Sequence, residues 1–371
     1  LKRLKPKWQH WRPDHEQSKR FRRPRRFGRN LIINGAMQVA QRGTSSTTNG
    51  FGSLDRFQPL YGGGTITHSQ ETLTGDSPYN NGFRNFIRLT VTSAGSNSAS
   101  DFCYISYKVE AQDVANSGWQ YASSNSSVSI QFWVRTSVAG TYYTSLQSAD
   151  GTARAFVFPV VLSANTWTKV TKAIPGDSST LEFANDTGTG LQIIIRPHVG
   201  TNYSDSGVST NSWYSRSGST QTPDYTQNWQ STGSATFDLT GVQLELGEQA
   251  TPFEHRSFAD EMIRCQRYYQ EVASGSTYFA GNGLGTTNII VGIPLATSMR
   301  ATPSVKQNGY TFHRSGNVNS SGANPSVSNF AYDIGRNAVG VRISGWASNN
   351  TDEVAYTVTP ATEVLAFEAE L

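Results

Sequence analysis

TFDLTGVQLELGEQATPFEHRSFADEMIRCQRYY, residues 236–269, runs through a strand, a glycine turn, a proline-led descent and a capped helix. Val242, Leu244 and Leu246 alternate with Gln243 and Glu245, the period of a half-buried strand. Strict alternation puts Asp238 and Thr240 on the side of Val242, with Phe237 and Leu239 opposite. Gly247 breaks the strand and Pro252 ends further pairing. Ser257 stands three residues before Asp260, the spacing of a capped helix start. Phe258, Met262, Cys265 and Tyr269 then recur at helical spacing, which predicts one apolar stripe. A helix this short is marginal alone and needs something to pack on. The run therefore closes one β unit and couples it to the next.

Upstream, short strands and turns follow one another. FIRLTVT (86–92), CYISYKVEA (103–111) and SVSIQFWVRTS (127–137) alternate, the last through Val128, Ile130, Phe132 and Val134. RAFVFPVVL (154–162), TWTKVTKAI (166–174) and LQIIIRP (191–197) come next, while LIINGAMQVAQRG (31–43) opens on an apolar run and closes in a glycine turn. No helix lies between to supply crossovers for a parallel sheet. The expected class is all-β: a jelly-roll sandwich over 30–256, a linker helix over 257–270 and a smaller β domain over 271–371. In that last part TNIIVGIPLA, TPSVKQNGYTF, NAVGVRISG, DEVAYTVTP and EVLAFEAEL read as strands. The final one sets Leu365, Phe367, Ala369 and Leu371 on one face, so this end is tied down.

The 371 residues suffice for two ordinary cores, and the Gly-rich, aromatic-rich, charge-poor composition suits a turn-rich β protein. No apolar run is long enough to span a bilayer, no signal-peptide core opens the chain, and membrane insertion is not expected. Cys103 and Cys265 are the only cysteines and read as two reduced, buried thiols. Leu1 in place of an initiator Met raises the expectation of a processed or incomplete start.

Residues 1–30 hold twelve Lys and Arg against Asp14 and Glu16, an excess of ten positive charges, while the whole chain carries +4. The remainder is therefore acidic by six charges. In this arm (1–29), Pro6, Pro13 and Pro24 prevent a long helix, and Trp8, Trp11, Phe21 and Phe27 interleave with Arg20, Arg22, Arg23, Arg25 and Arg26. A solvated tail is the plain reading. Docking on an acidic surface is the functional one, and the aromatics favour a protein partner over nucleic acid, which the acidic body also disfavours.

A second irregular stretch, residues 200–233, is too long for an ordinary loop inside a compact domain. It carries Tyr203, Trp213, Tyr214, Tyr225 and Trp229 among hydroxyls and amides. Trp213, Tyr214, Tyr225 and Trp229 are the expected sugar-stacking residues, unless they plug the sandwich edge or a subunit contact. The loop from His313 to Ser321 is a second candidate.

From Asn30 to Leu371 the chain resembles a broad family of bacteriophage virion fibre proteins. The likeness rests on segments in order: NLIINGAMQVAQRGTS (30–45), LDRF (54–57), SIQFWVRTS (129–137), NTWTKVTKAIPGD (165–177), residues 237–269, and GIPLATSMRATPSV (292–305). The resemblance implies a jelly roll similar to a carbohydrate-binding module, a small β domain after it, a place on the virion and commonly a homotrimer. The basic arm falls outside the family pattern and is expected to anchor the protein to other virion proteins, on tail or capsid. Host surface polysaccharide is the implied ligand, with an architectural decoration protein as the alternative.

No catalytic pattern accompanies this. Glycoside hydrolysis needs two carboxylates across a cleft, and Asp55, Glu110, Asp113, Glu245 and Glu254 form no recognisable pair. Asp55 and Arg56 of LDRF read as a structural salt-bridge or turn pair. There is no GxSxG, HExxH or P-loop. NDTGTG (185–190) has oxygen ligands for calcium but is more often a plain turn. The expectation is a non-enzymatic protein with no metal and no cofactor.

Overall fold

A computed structural model describes residues 28–177, 181–274, 281–284, 288–308, 311–314, 330–344, 355–358 and 364–371. The arm residues Trp8, Trp11, Arg20, Arg22, Arg23, Arg25 and Arg26 lie outside them, as do residues 315–321 and the side chain of His313.

Two six-stranded antiparallel sheets form the sandwich. The first runs, in spatial order, β1 (Ser45–Ser46), β3 (Thr65–Thr72), β4 (Asn85–Ser93), β12 (Thr236–Leu246), β6 (Ser127–Thr136) and β9 (Thr168–Pro175). The second runs β11 (Trp213–Ser215), β8 (Arg154–Leu162), β7 (Gly140–Ser148), β10 (Thr189–Val199), β5 (Phe102–Glu110) and β2 (Gln58–Gly62). Neighbours far apart in sequence, such as β4 beside β12, give the crossing connections of a jelly roll. Period-two alternation drives it: Ile87, Leu89, Val128, Ile130, Phe132 and Val134 of the first sheet share one core with Ile105, Tyr107, Leu146, Phe156, Phe158, Ile193 and Ile195 of the second. Short helices α1 (Ser77–Asn80) and α2 (Ala111–Ala115) sit at the strand ends.

Three sequence expectations are corrected. In β12, Phe237 pairs with Thr136 through to Thr240 with Trp133, and the register then shifts before Gln243 meets Gln131. The bulge at Gly241, whose φ is 65°, resets the phase. Phe237 and Leu239 therefore reach the same core as Val242 and Leu244. Residues 31–43 form no strand; they pack Ile32, Met37 and Val39 into the interior through turns. In α3 (Phe258–Gln266) Ser257 does cap, accepting the Asp260 N–H at 3.1 Å. The buried face, however, is Glu261 and Cys265, while Phe258 is 55% exposed. Glu261 is held there by the Asn34 N–H and by Arg256.

Past the helix, β13 (Tyr269–Ser274) pairs with β21 (Val364–Glu368), which also pairs with β16 (Ser304–Asn308). A second sheet orders β14 (Gly281–Leu284), β15 (Asn288–Pro294), β19 (Ala338–Ser344) and β18 (Phe330–Ile334), and β17 (Thr311–Arg314) pairs with β20 (Ala355–Val358). The chain end does bury Leu365, Phe367 and Ala369, while Leu371 is half-buried and Ala366, on the opposite side, is buried too.

The chain end returns to the sandwich at LDRF. Arg56, at φ 71° and 2% exposed, stacks over Tyr268 (3.4 Å) and Tyr107 (5.3 Å) and pairs with Glu370. Burial works against this charge, but Glu370 and the two tyrosines outweigh it and keep the guanidinium protonated. Asp55 does not pair with Arg56; it accepts from the Gln41 backbone and side-chain amides beside Arg42. Glu110 takes Arg267 in a two-pronged contact (2.7 and 2.9 Å) and the Tyr268 hydroxyl. Lys108 donates to the Leu371 carbonyl. Cys103 and Cys265 are free and buried.

Arg56→Ala leaves Glu370 with Arg42 as its one remaining cation and is expected to cost about 3 kcal/mol, the low end for a broken buried pair, read as a lower urea midpoint with residues beyond Tyr269 cleaved first by protease. Asp55 gives a pH signature. Burial pushes its carboxyl up to about 6 against the pull of Arg42 and Gln41. Folding therefore takes up a proton between about pH 4 and 6. That stability is present at pH 4 and lost as pH rises through 6. Between pH 4 and 7 the wild type should lose up to about 3 kcal/mol relative to Asp55→Asn in urea titrations at each pH.

Candidate functional site

The outward face of β6 breaks the usual division of labour. Its inward residues are aliphatic or Phe, and outward it should be polar, as Ser129, Gln131 and Arg135 are. Trp133 sits among them, half-buried, opposite Thr240 on one side and Lys169 on the other. Phe86 of β4 and Trp167 join it on this face, forming with Ala36, Leu73 and Phe83 a second apolar cluster outside the main core. Trp167 meets Phe86 edge-on at 5.6 Å and carries the Arg135 guanidinium 4.7 Å above its ring.

The polypeptide between β12 and α3 completes the site by folding back across the sheet. Gln131 donates to the Thr251 carbonyl (2.7 Å), and Glu245 accepts the Thr251 N–H and hydroxyl (both 2.7 Å). Gln243 accepts the Glu254 N–H at 2.8 Å. These buried side chains hold Phe253 edge-on to Phe83 (4.8 Å), with His255 against both rings and bonded to the Asn81 carbonyl. A Cβ on Gly241 would lie 2.7 Å from the Phe83 ring, so the bulge also makes room for this wall.

The result is a cleft of about 430 Å³ lined by Asn81, Phe83, Gln131, Trp133, Lys169, Thr251, Phe253 and His255, with backbone of Gly241 and Ala250–Pro252. Its size falls within the usual range for small-ligand sites, roughly 300–1,000 Å³. Outside the lining, two residues along both strands from Trp133 and Thr240, Asp238 anchors Arg88 (2.8 and 2.9 Å) and Arg135 (2.8 Å), and Asp76 takes the Trp167 indole N–H. The Asp238 hydrogen bond lifts the Arg88 pKa further, so its guanidinium stays charged. Lys169 is exposed and enters no ion pair among the described residues. No Asp or Glu lines the cleft.

The expected stacking residues of 200–233 are placed differently. Trp229 is 0% exposed, its indole N–H donating to the Thr236 carbonyl at 3.0 Å and its ring against Phe237. A ring with no free face cannot stack on a sugar, so Trp229 is corrected to a core residue. Trp213 turns inward onto Phe156 and donates to the Pro175 carbonyl. Tyr214 bonds the Thr220 and Gln221 carbonyls. Tyr225 donates to the Arg196 carbonyl and accepts the Tyr143 N–H. The three half-buried rings pin the loop to the second sheet and share no platform with Trp133. The acidic residues are also occupied: Glu254 takes the Gly28 and Asn30 N–H groups, and Asp186 takes the Gly188 N–H in an ordinary turn. Among the described residues no group of three His, Cys, Asp or Glu converges on one point. No helix there is long and apolar enough to cross a membrane.

No family model and no curated protein matches the chain. Solved structures do. The chain is similar to the family 11 carbohydrate-binding module of a cellulosomal cellulase of Clostridium thermocellum at 11% identity, over 57% of this chain and 98% of that one, with a TM-score of 0.26. A family 16 carbohydrate-binding module gives 12%, 58% and 99%, and 0.26. A cyclase from Fischerella sp. TAU, in complex with an indolyl butanone, gives 11%, 60% and 99%, and 0.33. At such scores these likenesses carry no functional weight.

Gly241→Ala is expected to cost at least about 1 kcal/mol, since it forces a Cβ both into a left-handed backbone and against Phe83. A lowered urea midpoint at unchanged slope is the readout.

Proposed function

We propose that this chain is a non-enzymatic carbohydrate-binding fibre protein of a bacteriophage particle, holding host surface glycans in the cleft over its first sheet. One observation carries the binding half: Trp133 lies on the polar face of β6, in a cleft shared with Gln131, Asn81 and Lys169 and free of carboxylates. Sugars present C–H faces that stack on aromatic rings and hydroxyls that exchange hydrogen bonds with amides and ammonium groups. Both sets of partners are within this one cleft.

The virion half is supported by the ordered sequence segments from Asn30 to Val305 and by the basic, aromatic arm at 1–29. In this reading the arm docks on other virion proteins, the protein is exposed on the particle surface, and three copies share one axis.

The test is binding of the full chain to an array of bacterial surface polysaccharides, followed by titration of any hit. Trp133→Ala is expected to weaken binding by on the order of 2 kcal/mol, roughly 30-fold, with the denaturation midpoint little changed. Trp213→Ala should lower stability and leave affinity intact. The reverse pattern would move the site to residues 200–233. A wild type that binds no glycan would leave the architectural reading. Deleting residues 1–29 should yield particles lacking the protein; normal incorporation would refute the anchor.

A further inference from the structure

On the opposite face of the sandwich, β10 buries an arginine without an acid. Arg196 is 0% exposed on the outer side of the second sheet, beneath the long connection between β10 and β12. Its Nη1 donates to Ser145 Oγ at 2.7 Å and its Nη2 reaches Gln221 Oε1 at 3.4 Å. Its Nε is buried with no hydrogen-bond partner. Among the described residues no carboxylate pairs with it; the groups acting on it most strongly are Tyr225, Tyr214 and Tyr104, neutral at ordinary pH, and a second cation, Arg216.

The neighbours repeat the pattern. Arg216 also keeps a buried Nε without a partner; Tyr214, two residues before it, donates to the Gln221 carbonyl, and the Gln221 side chain accepts from Arg196, which ties both arginines to one loop residue. His198, two residues along β10 and packed edge-on to Tyr225, has both ring nitrogens buried and unpartnered. The Thr222 hydroxyl, next to Gln221, is likewise buried and unpartnered. Asp101 is the acid that acts on His198, and its carboxylate is already taken by the Ser98 N–H and hydroxyl. Arg196, a cation without counter-charge and out of contact with bulk water, is unfavourable unless an anion joins it, and the half-buried Arg216 adds a second positive charge beside it. The free donor on each arginine is its Nε–H, which makes a charge-assisted bond to an oxyanion.

We propose that Arg196 and Arg216, with His198 and Thr222 beside them, form an oxyanion site beneath the 200–228 connection. It takes a carboxylate of an acidic sugar or an inorganic oxyanion such as sulfate. It is independent of the cleft at Trp133, which lies on the other sheet.

Isothermal titration of the full chain with sodium glucuronate and, separately, sodium sulfate tests this, at ionic strength held constant with sodium chloride. Saturable binding of either anion, lost in Arg196→Gln and weakened about tenfold in Arg216→Gln, upholds the site. Glucuronate alone would assign it to acidic sugars, and sulfate alone to inorganic anions. If Arg196→Gln does not fold, Arg216→Gln decides, since Arg216 is only half-buried. No saturable binding by the wild type, or equal binding by the Arg216 variant, overturns the proposal. Trp133→Ala should leave this binding unchanged.

Discussion

Arg56 is the point on which the two ends of the chain depend. It leaves the backbone at a positive φ, a strained conformation for a residue with a side chain. Its guanidinium then lies between the faces of Tyr107 and Tyr268 and meets Glu370, one residue from the end of the chain. A charge this buried is tolerable only with its partner in place, so the contact works as an all-or-none clasp. It joins a turn before β2, strand β5, the segment after α3 and the final strand. Glu110 repeats the arrangement with Arg267 and Tyr268, and Arg42 with Asp55, Glu368 and Glu370. The sandwich and the chain end thus meet through a polar network dense enough to fix one arrangement.

With that joint closed, the sandwich has two outer faces, and the chain treats them differently. The first sheet carries a short return segment, residues 247–256, that builds one wall of a cleft and leaves Trp133 partly open. The second carries a much longer connection, whose tyrosines bond the backbone and seal Arg196 beneath. Both segments lie flat because buried residues on the sheets, Gln131, Gln243 and Glu245 on one and Arg196 on the other, offer hydrogen bonds to what covers them.

How much of this could be read along the chain depended on how local the cause was. The strands over 85–93 and 127–136 follow from alternation alone, and the cap at Ser257 from spacing. The Tyr-rich β7 (140–148) and the polar β2 and β3 escape such a reading, because threonine, serine and glutamine stand where a core position is expected. In α3 the apolar spacing named Phe258, but Arg256 and Asn34 made Glu261 the buried residue. The four aromatics of the long loop were conspicuous by composition, yet their environment made them supports. Trp133 carried a usable signal, a tryptophan on the polar face of an alternating strand, though it is easily read as one more hydrophobic residue.

Alternation, turn residues and cap spacing determined that this chain is an all-β sandwich with a linker helix and a closing strand, because those rules act between residues a few positions apart. The basic arm and acidic body are equally a matter of composition. Tertiary structure alone decided the bulge phase at Gly241, the meeting of Arg56 with Glu370, and which aromatics stand open and which are enclosed. Each of those depends on surfaces that come together only when strands more than a hundred residues apart pair, and no local pattern records what will cover a given face.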